Sequence, residues 1–251
     1  MSAWISSTAS RLREVRVNLT RFSLFYPEKR EFFLENSGIF YFGDIPRNSR
    51  QTSRFRPPEE DLLLFFSRRI GLTDDGQQIP IIGGARLTGR AAGFGVGVLS
   101  MQTDDVAALP GTNYTVVRAR RDVLRNSDIG AIFMNRQSTV AGDYNRVVGA
   151  DANFRFLRNL SWNSFFAKSE TPGAGGGELA WKTSLGWEDN FHHYQYSVLN
   201  VDDSFQADIG FVRRTGVRKH FVDAGIRPRP QWLRKFQRRI TTRGRLPASG
   251  S

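Results

Sequence analysis

Residues 147–156 read VVGADANFRF, and the period of that decapeptide is two. Val148, Ala150, Ala152, Phe154 and Phe156 fall on one face of an extended chain, with Gly149, Asp151, Asn153 and Arg155 on the other. Wound at 3.6 residues per turn, the same residues would scatter around a cylinder, so the segment is a strand with two chemically different faces. A slip of one residue would send every side chain to the wrong face, which makes the register strongly specified.

The same alternation spreads outward from this segment. In ELAWKTSLGWE (178–188), Leu179, Trp181, Thr183, Leu185 and Trp187 alternate with Glu178, Lys182, Ser184, Gly186 and Glu188. In NYTVVRARRD (113–122), Val117 and Ala119 oppose Arg118 and Arg120. LLLFFSRRI (62–70), PIIGGARLTG (80–89), GFGVGVLSM (93–101), SDIGAIFMN (127–135), LSWNSFFAKS (160–169), FHHYQYSVLN (191–200), ADIGFVRR (207–214) and HFVDAGIRP (220–228) bring the candidate strands to about eleven. Turn chemistry separates them at DDGQQ (74–78), DDVAALPGTN (104–113), GDYN (142–145) and TPGAGGG (171–177). No amphipathic helix intervenes, which excludes a strand–helix alternation and leaves an all-β, antiparallel meander.

Strand length and composition bear on where such a meander sits. Strands near ten residues exceed the roughly 5–6 usual in soluble sandwiches and match the 9–11 that cross a bilayer. Trp162, Trp181, Trp187, Tyr194 and Tyr196 lie on these strands, several toward strand ends where interfacial girdles form. The spacing therefore favours part of an outer-membrane-type β-barrel over a soluble β-sandwich. No run reaches the roughly 20 apolar residues of a membrane-spanning helix. The absence of cysteine removes disulfides and thiolate metal sites. A formal net charge of +12 implies affinity for anions, whether nucleic acid or lipid head groups, although solvated surface arginine explains it as well.

Motifs of chemistry are sparse. GFGVGV lacks the spacing of a dinucleotide loop, and a strand with Gly93, Gly95 and Gly97 on one face leaves room for neighbouring aromatic rings. FSLFYPEKREFFLENSGIFYFG (22–43) reads as strand-like residues, a two-turn helix at PEKREFFLE and a further apolar run, a segment expected to pack on the sheet or fill its mouth. The rival reading makes Glu28, Glu31 and Glu35 acid/base carboxylates, but Lys29 and Arg30 beside them favour an ion-paired face. His192 and His193 are adjacent on a strand and point opposite ways, so they cannot ligate one metal together. SRRIG (67–71) and VRRTG (212–216) suit strand ends at a lipid interface. No catalytic, cofactor or metal constellation is present, and a non-enzymatic role is expected.

VNLTRFSLFYPEKREFFLENSGIFYFG, LFFSRRIGL, IPIIGGARLTGR, NYTVVRARRDVL, SDIGAIFMNRQS, NRVVGADANFRF and ADIGFVRRTGVRKH, in that order, resemble a bacterial family of unknown function, the carbohydrate-binding family 9-like domain-containing proteins. The resemblance runs from Val17 to Trp232. It implies a Gram-negative outer-membrane location and a C-terminal barrel, here truncated, in a family whose members also carry a signal peptide and an N-terminal sugar-binding-like sandwich. On that reading residues 1–16 are a leader, 17–232 a partial barrel domain and 233–251 an irregular basic tail. The barrel domain divides into an aromatic segment at 17–43 and a strand meander at 62–228. Outer-membrane lipids are the expected partners, with glycans reached through the sandwich and no nucleic acid.

The polar face would then line the lumen with Arg86, Arg118, Arg120, Asp151, Asn153, Arg155 and Lys182, its arginines biasing a pore toward anions. Two other readings compete: a soluble basic β-protein that binds nucleic acid, and a membrane-associated hydrolase.

Overall fold

The computed structural model describes residues 28–35, 37–43, 62–73, 77–106, 109–124, 126–156 and 159–226, and the backbone of 238–242. The leader, the strand-like residues 17–25 and most of the tail lie outside the described residues. The chain is all-β. Its strands are β1 (Leu62–Leu63), β2 (Ile81–Ala91), β3 (Phe94–Thr103), β4 (Thr112–Leu124), β5 (Ser127–Ser138), β6 (Tyr144–Phe156) and β7 (Leu160–Glu170). β8 (Leu179–Glu188), β9 (His192–Val201), β10 (Phe211–Val212), β11 (Val217–Ile226) and β12 (Arg238–Thr242) complete the set.

Nine long strands, β2 to β9 and β11, form one antiparallel meander, each beside its neighbour in sequence apart from the excursion through β10. β12 adds a short strand to β11, so five residues of the tail expected to be irregular are paired. Among the described residues β2 and β12 each have one hydrogen-bonded neighbour, and the sheet has two free edges.

Two of the eleven expected strands are not in this sheet. LLLFFSRRI contributes only β1, which pairs with β10 from ADIGFVRR in a separate two-stranded ladder. Ser67–Arg69 instead form a 3-10 turn. The reason is visible in the residues: LLLFF has no polar alternate, so it cannot divide two faces. Leu62, Leu64 and the following Ile70 are buried at the core, and Leu63, Phe65 and Phe66 are half-buried. SRRIG and VRRTG accordingly do not end long strands: the Arg69 Nε–H donates to the Gly210 carbonyl, 3.3 Å away, within this inner layer.

The two ends of the meander differ. At one end the connections are tight: 92–93, 125–126, 157–159 and 189–191. Ala92 and Gly93 both take positive φ (51° and 80°), the conformation whose twist matches a two-residue hairpin. In the last of these turns the Asp189 carboxylate accepts the backbone N–H groups of His192 (2.6 Å) and Phe191 (2.7 Å) and the Trp187 indole N–H (3.1 Å). These bonds, that of His192 first, hold its pKa far below the ordinary aspartate value. At the other end the connections are longer: 104–111, 139–143, 171–178 and 202–216.

One face of the sheet is covered and the other is bare. The covered face carries Leu99, Met101, Val116, Ile132, Met134, Val147, Ala167 and Ala180 toward the long-loop end, packed against Phe33, Phe40, Phe42, Leu62, Leu64, Ile70, Phe205 and Ile209. The bare face presents Leu87, Phe94, Ile129, Phe133, Val148, Trp162, Phe166, Leu185, Tyr194 and Val222 to the surroundings.

Candidate functional site on the covered face

Toward the short-turn end, the covered face becomes polar. Register places Asp128, Asn153, Asn163, Ser184 and Ser197 in one row across β5 to β9. The adjoining row runs Arg120, Gly130, Asp151, Phe165, Lys182, Leu199 and Lys219. Arg118, Asp128, Asp151, Asn153, Lys182, Ser184, Ser197 and Asp223 are all buried.

Burial on this scale requires pairing. Arg118 and Asp151 form a two-pronged ion pair, Nη1 to Oδ1 at 2.6 Å and Nη2 to Oδ2 at 2.9 Å, with each side chain 1% exposed. The guanidinium lies over Gly130, where an added Cβ would stand 2.5 Å from Nη1, so only glycine fits beneath it. Arg120 reaches Asp128 at 3.2 Å, and the Asn153 amide donates to the other Asp128 oxygen at 3.0 Å. His193 Nε2 lies 3.2 Å from Asp223 Oδ2, while His192, on the bare face, stacks with Tyr194. The two histidines do point opposite ways.

The seven residues expected to share the polar face lie on one side of the sheet: Arg118, Arg120, Asp151, Asn153 and Lys182 in the cluster, Arg86 toward the β2 edge, and Arg155. The register assigns Arg155 to the same side at the end of β6, where it is exposed. Arg86, Arg118 and Arg120 are each engaged by a carboxylate, which offsets the positive field expected of them. Asp128 was legible in SDIGAIFMN, where it alternates with Ile129. The His193–Asp223 contact joins two strands whose register no local pattern announces.

A strap crosses this face. Its described residues, 28–35 and 37–43, carry a single helical turn, α1 (Glu31–Leu34), and a 3-10 turn at Ser37–Phe40, in place of the two-turn helix expected from Pro27 onward. The Glu28 carboxylate binds Arg30 (Nε at 2.9 Å, Nη2 at 2.8 Å) and Ser67 Oγ (2.8 Å) before the helix begins. Glu35 binds Arg86, so the three glutamates do not form a shared catalytic face. Burial pushes the Glu28 pKa up, and the Arg30 and Ser67 bonds together outweigh it, leaving the carboxyl below its ordinary range.

Positions along the strap match positions across the sheet. Arg86 on β2 donates to the carbonyls of Phe32 and Glu35. Ile39 and Phe40 fill the space over Gly97 on β3, where an added Cβ would meet both at 3.0 Å. Phe42 fills the space over Gly149 on β6 (2.7 Å) and packs on Phe165 of β7, ring centroids 5.5 Å apart. Last, the Gly43 N–H donates to Asp151 Oδ2 at 3.1 Å, and the Arg118 guanidinium sits 5.3 Å from the Phe42 ring centroid. Of the three glycines of GFGVGV expected on one face, Gly97 makes room for an aromatic ring and Gly95 for Ile39, both from the strap, whereas Gly93 belongs to the β2–β3 turn and faces open space.

Searches against family models, curated proteins and solved structures give no match.

Proposed function

We propose that this chain is wall material of a Gram-negative outer-membrane β-barrel, non-enzymatic, acting as a scaffold or pore wall for a sugar-binding-like module elsewhere in the full protein. The single observation that carries this reading is the bare face of the nine long strands: Leu, Val, Phe, Trp and Tyr side chains stand uncovered there, while the ion pairs and amides lie on the covered face beside an apolar core. A water-soluble sheet has the opposite preference, because exposed apolar area costs about 25 cal/mol per Å². In hydrocarbon the same bare face is the stable one.

The dimensions support it. From Val148 to Phe156 the bare apolar residues of β6 span eight steps of about 3.4 Å, roughly 27 Å, or about 21 Å along a membrane normal if the strand tilts by about 40°. That is near the ~25 Å apolar band of such barrels. The belt also runs obliquely. The bare row from Leu87 through Val98, Val117, Phe133 and Val148 ends at Lys168 on β7. The next row, from Gly89 through Ala119, Ala150 and Trp181, ends at Asn200 and Arg218 on β9 and β11. A slab crossing tilted strands has margins of this kind. Near the short-turn end Phe154 stacks on Trp162 at 5.5 Å, and Trp187, Tyr194 and Tyr196 lie alongside, as an aromatic girdle would.

The test is fluorescence quenching in vesicles. Single-tryptophan variants retaining Trp162, Trp181 or Trp187 are folded into phosphatidylcholine vesicles containing brominated acyl chains. Quenching is expected at all three, from bromines nearer the headgroups at Trp162 and Trp187 of the girdle. A chain that is monodisperse without detergent, unquenched by these lipids and bound to single-stranded DNA in a salt-dependent manner would overturn the proposal in favour of the soluble basic alternative.

A further inference from the structure

We propose that residues 28–35 and 37–43 are a resident plug that seals the interior of this wall, so that the chain does not conduct solutes until the strap is released. The inference rests on the barrel reading above and adds a closed state to it.

Three independent features mark the strap as built into the interior. The sheet supplies a trough for it: one covered row reads Gly97, Arg118, Ile132, Gly149, Ala167, Ala180, and the strap's Phe40 and Phe42 sit over its two glycines. The strap spans that row from β2 to β7, across the strands, which is the direction needed to block a lumen.

Charge-assisted bonds hold it at two points, Arg86 at Phe32 and Glu35 and the Arg118–Asp151 pair at Gly43, so two of the cations that might have drawn anions through the interior are bound up with the strap or its anchor. A second layer braces it from the long-loop end: Arg30 donates to the carbonyls of Ile70 (2.7 Å) and Ser67 (2.8 Å), and Phe66 N–H donates to Ile209 O at 2.8 Å. The long-loop end is therefore the sealed one.

The absence of cysteine permits a direct test. The full chain is reconstituted in planar bilayers, with membrane insertion measured separately by brominated-lipid quenching. Wild type is expected to insert without conducting. Phe42→Ala, which empties the trough, and Gly149→Phe, which fills it in place of Phe42, are expected to insert and show open-channel steps. Inserted wild type that conducts as the variants do, or variants that insert and remain silent, would overturn the plug.

Where the variants do not fold, the pair Ile39→Cys with Gly97→Cys decides. It is expected to form a disulfide under mild oxidant in the folded wild-type background, and folded protein in which the two thiols never join also overturns the plug. Failure of the wild type to insert at all counts against the barrel reading, and the cross-linking result still reports on the strap.

Discussion

Neighbouring residues of one strand inhabit different solvents. Val148 and Ala150 on β6 stand bare, while Gly149 and Asp151 between and beyond them are buried under Phe42 and Arg118. A shift of 3.4 Å along the backbone exchanges an environment that tolerates almost any apolar side chain for one that tolerates a single atom arrangement. The bare face is specified by chemistry alone. The covered face is specified by shape and charge pairing, and substitutions should separate the two.

The largest expected effect lies in the buried ion pair. Asp151→Asn removes a charge from beneath Arg118 and weakens the bond to Gly43 N–H, and should lower unfolding stability by about 3–5 kcal/mol, read from urea titrations in detergent micelles. Replacing both partners by apolar residues of similar volume should cost less than either single change, a non-additivity that isolates the pair.

Next, Ile129→Arg, opposite Ala152 midway along the bare span of β6, places a charge in the bare belt and should oppose insertion into vesicles by about 2–4 kcal/mol, read as the partitioned fraction. The same change should leave the micelle-folded covered face unperturbed, because no covered residue touches that side.

A smaller effect distinguishes the faces most directly. Gly149→Leu, where an added Cβ would already lie 2.7 Å from Phe42, should destabilise by about 1–3 kcal/mol, whereas Ala150→Leu, one residue away, should be nearly neutral in urea titrations. Equal effects at the two positions would dissolve the contrast between the faces.

The mildest effect is a pH dependence. Glu28 has a folded pKa below its unfolded value, so the stability it contributes is fully present above the ordinary glutamate value of about 4.3 and is lost as pH falls through the lowered folded value. Glu28→Gln should flatten that acid limb of the stability profile.

Much of this is legible in the sequence. Alternation assigned Val148, Trp181 and Val117 to one face and Asp151, Lys182 and Arg118 to the other, because in an extended chain the side-chain direction is a local property with period two. It also located nine of the long strands. It misread LLLFFSRRI and ADIGFVRR as long strands of this sheet: the two pair with each other instead, and contacts of Gln206 and Asp208 with Asn145, Ser169 and Arg136 hold the start of the second against β5 to β7. The helix at PEKREFFLE shortened for a related reason. Glu28 and Arg30 make their bonds to Ser67 and Ile70, far along the chain, and those contacts override the local capping signals.

The two-faced character of the strands, their antiparallel order and the spaces left by Gly97 and Gly149 belong to the sequence by itself, since each depends only on near neighbours and on what a residue lacks. Which face would be covered, what would lie in those spaces and which carboxylate would answer Arg118 belonged to the tertiary structure. Asp151 lies 33 residues from Arg118 and 108 from Gly43. Partners that distant are brought together only by the closing of many strands at once, a choice no local pattern encodes.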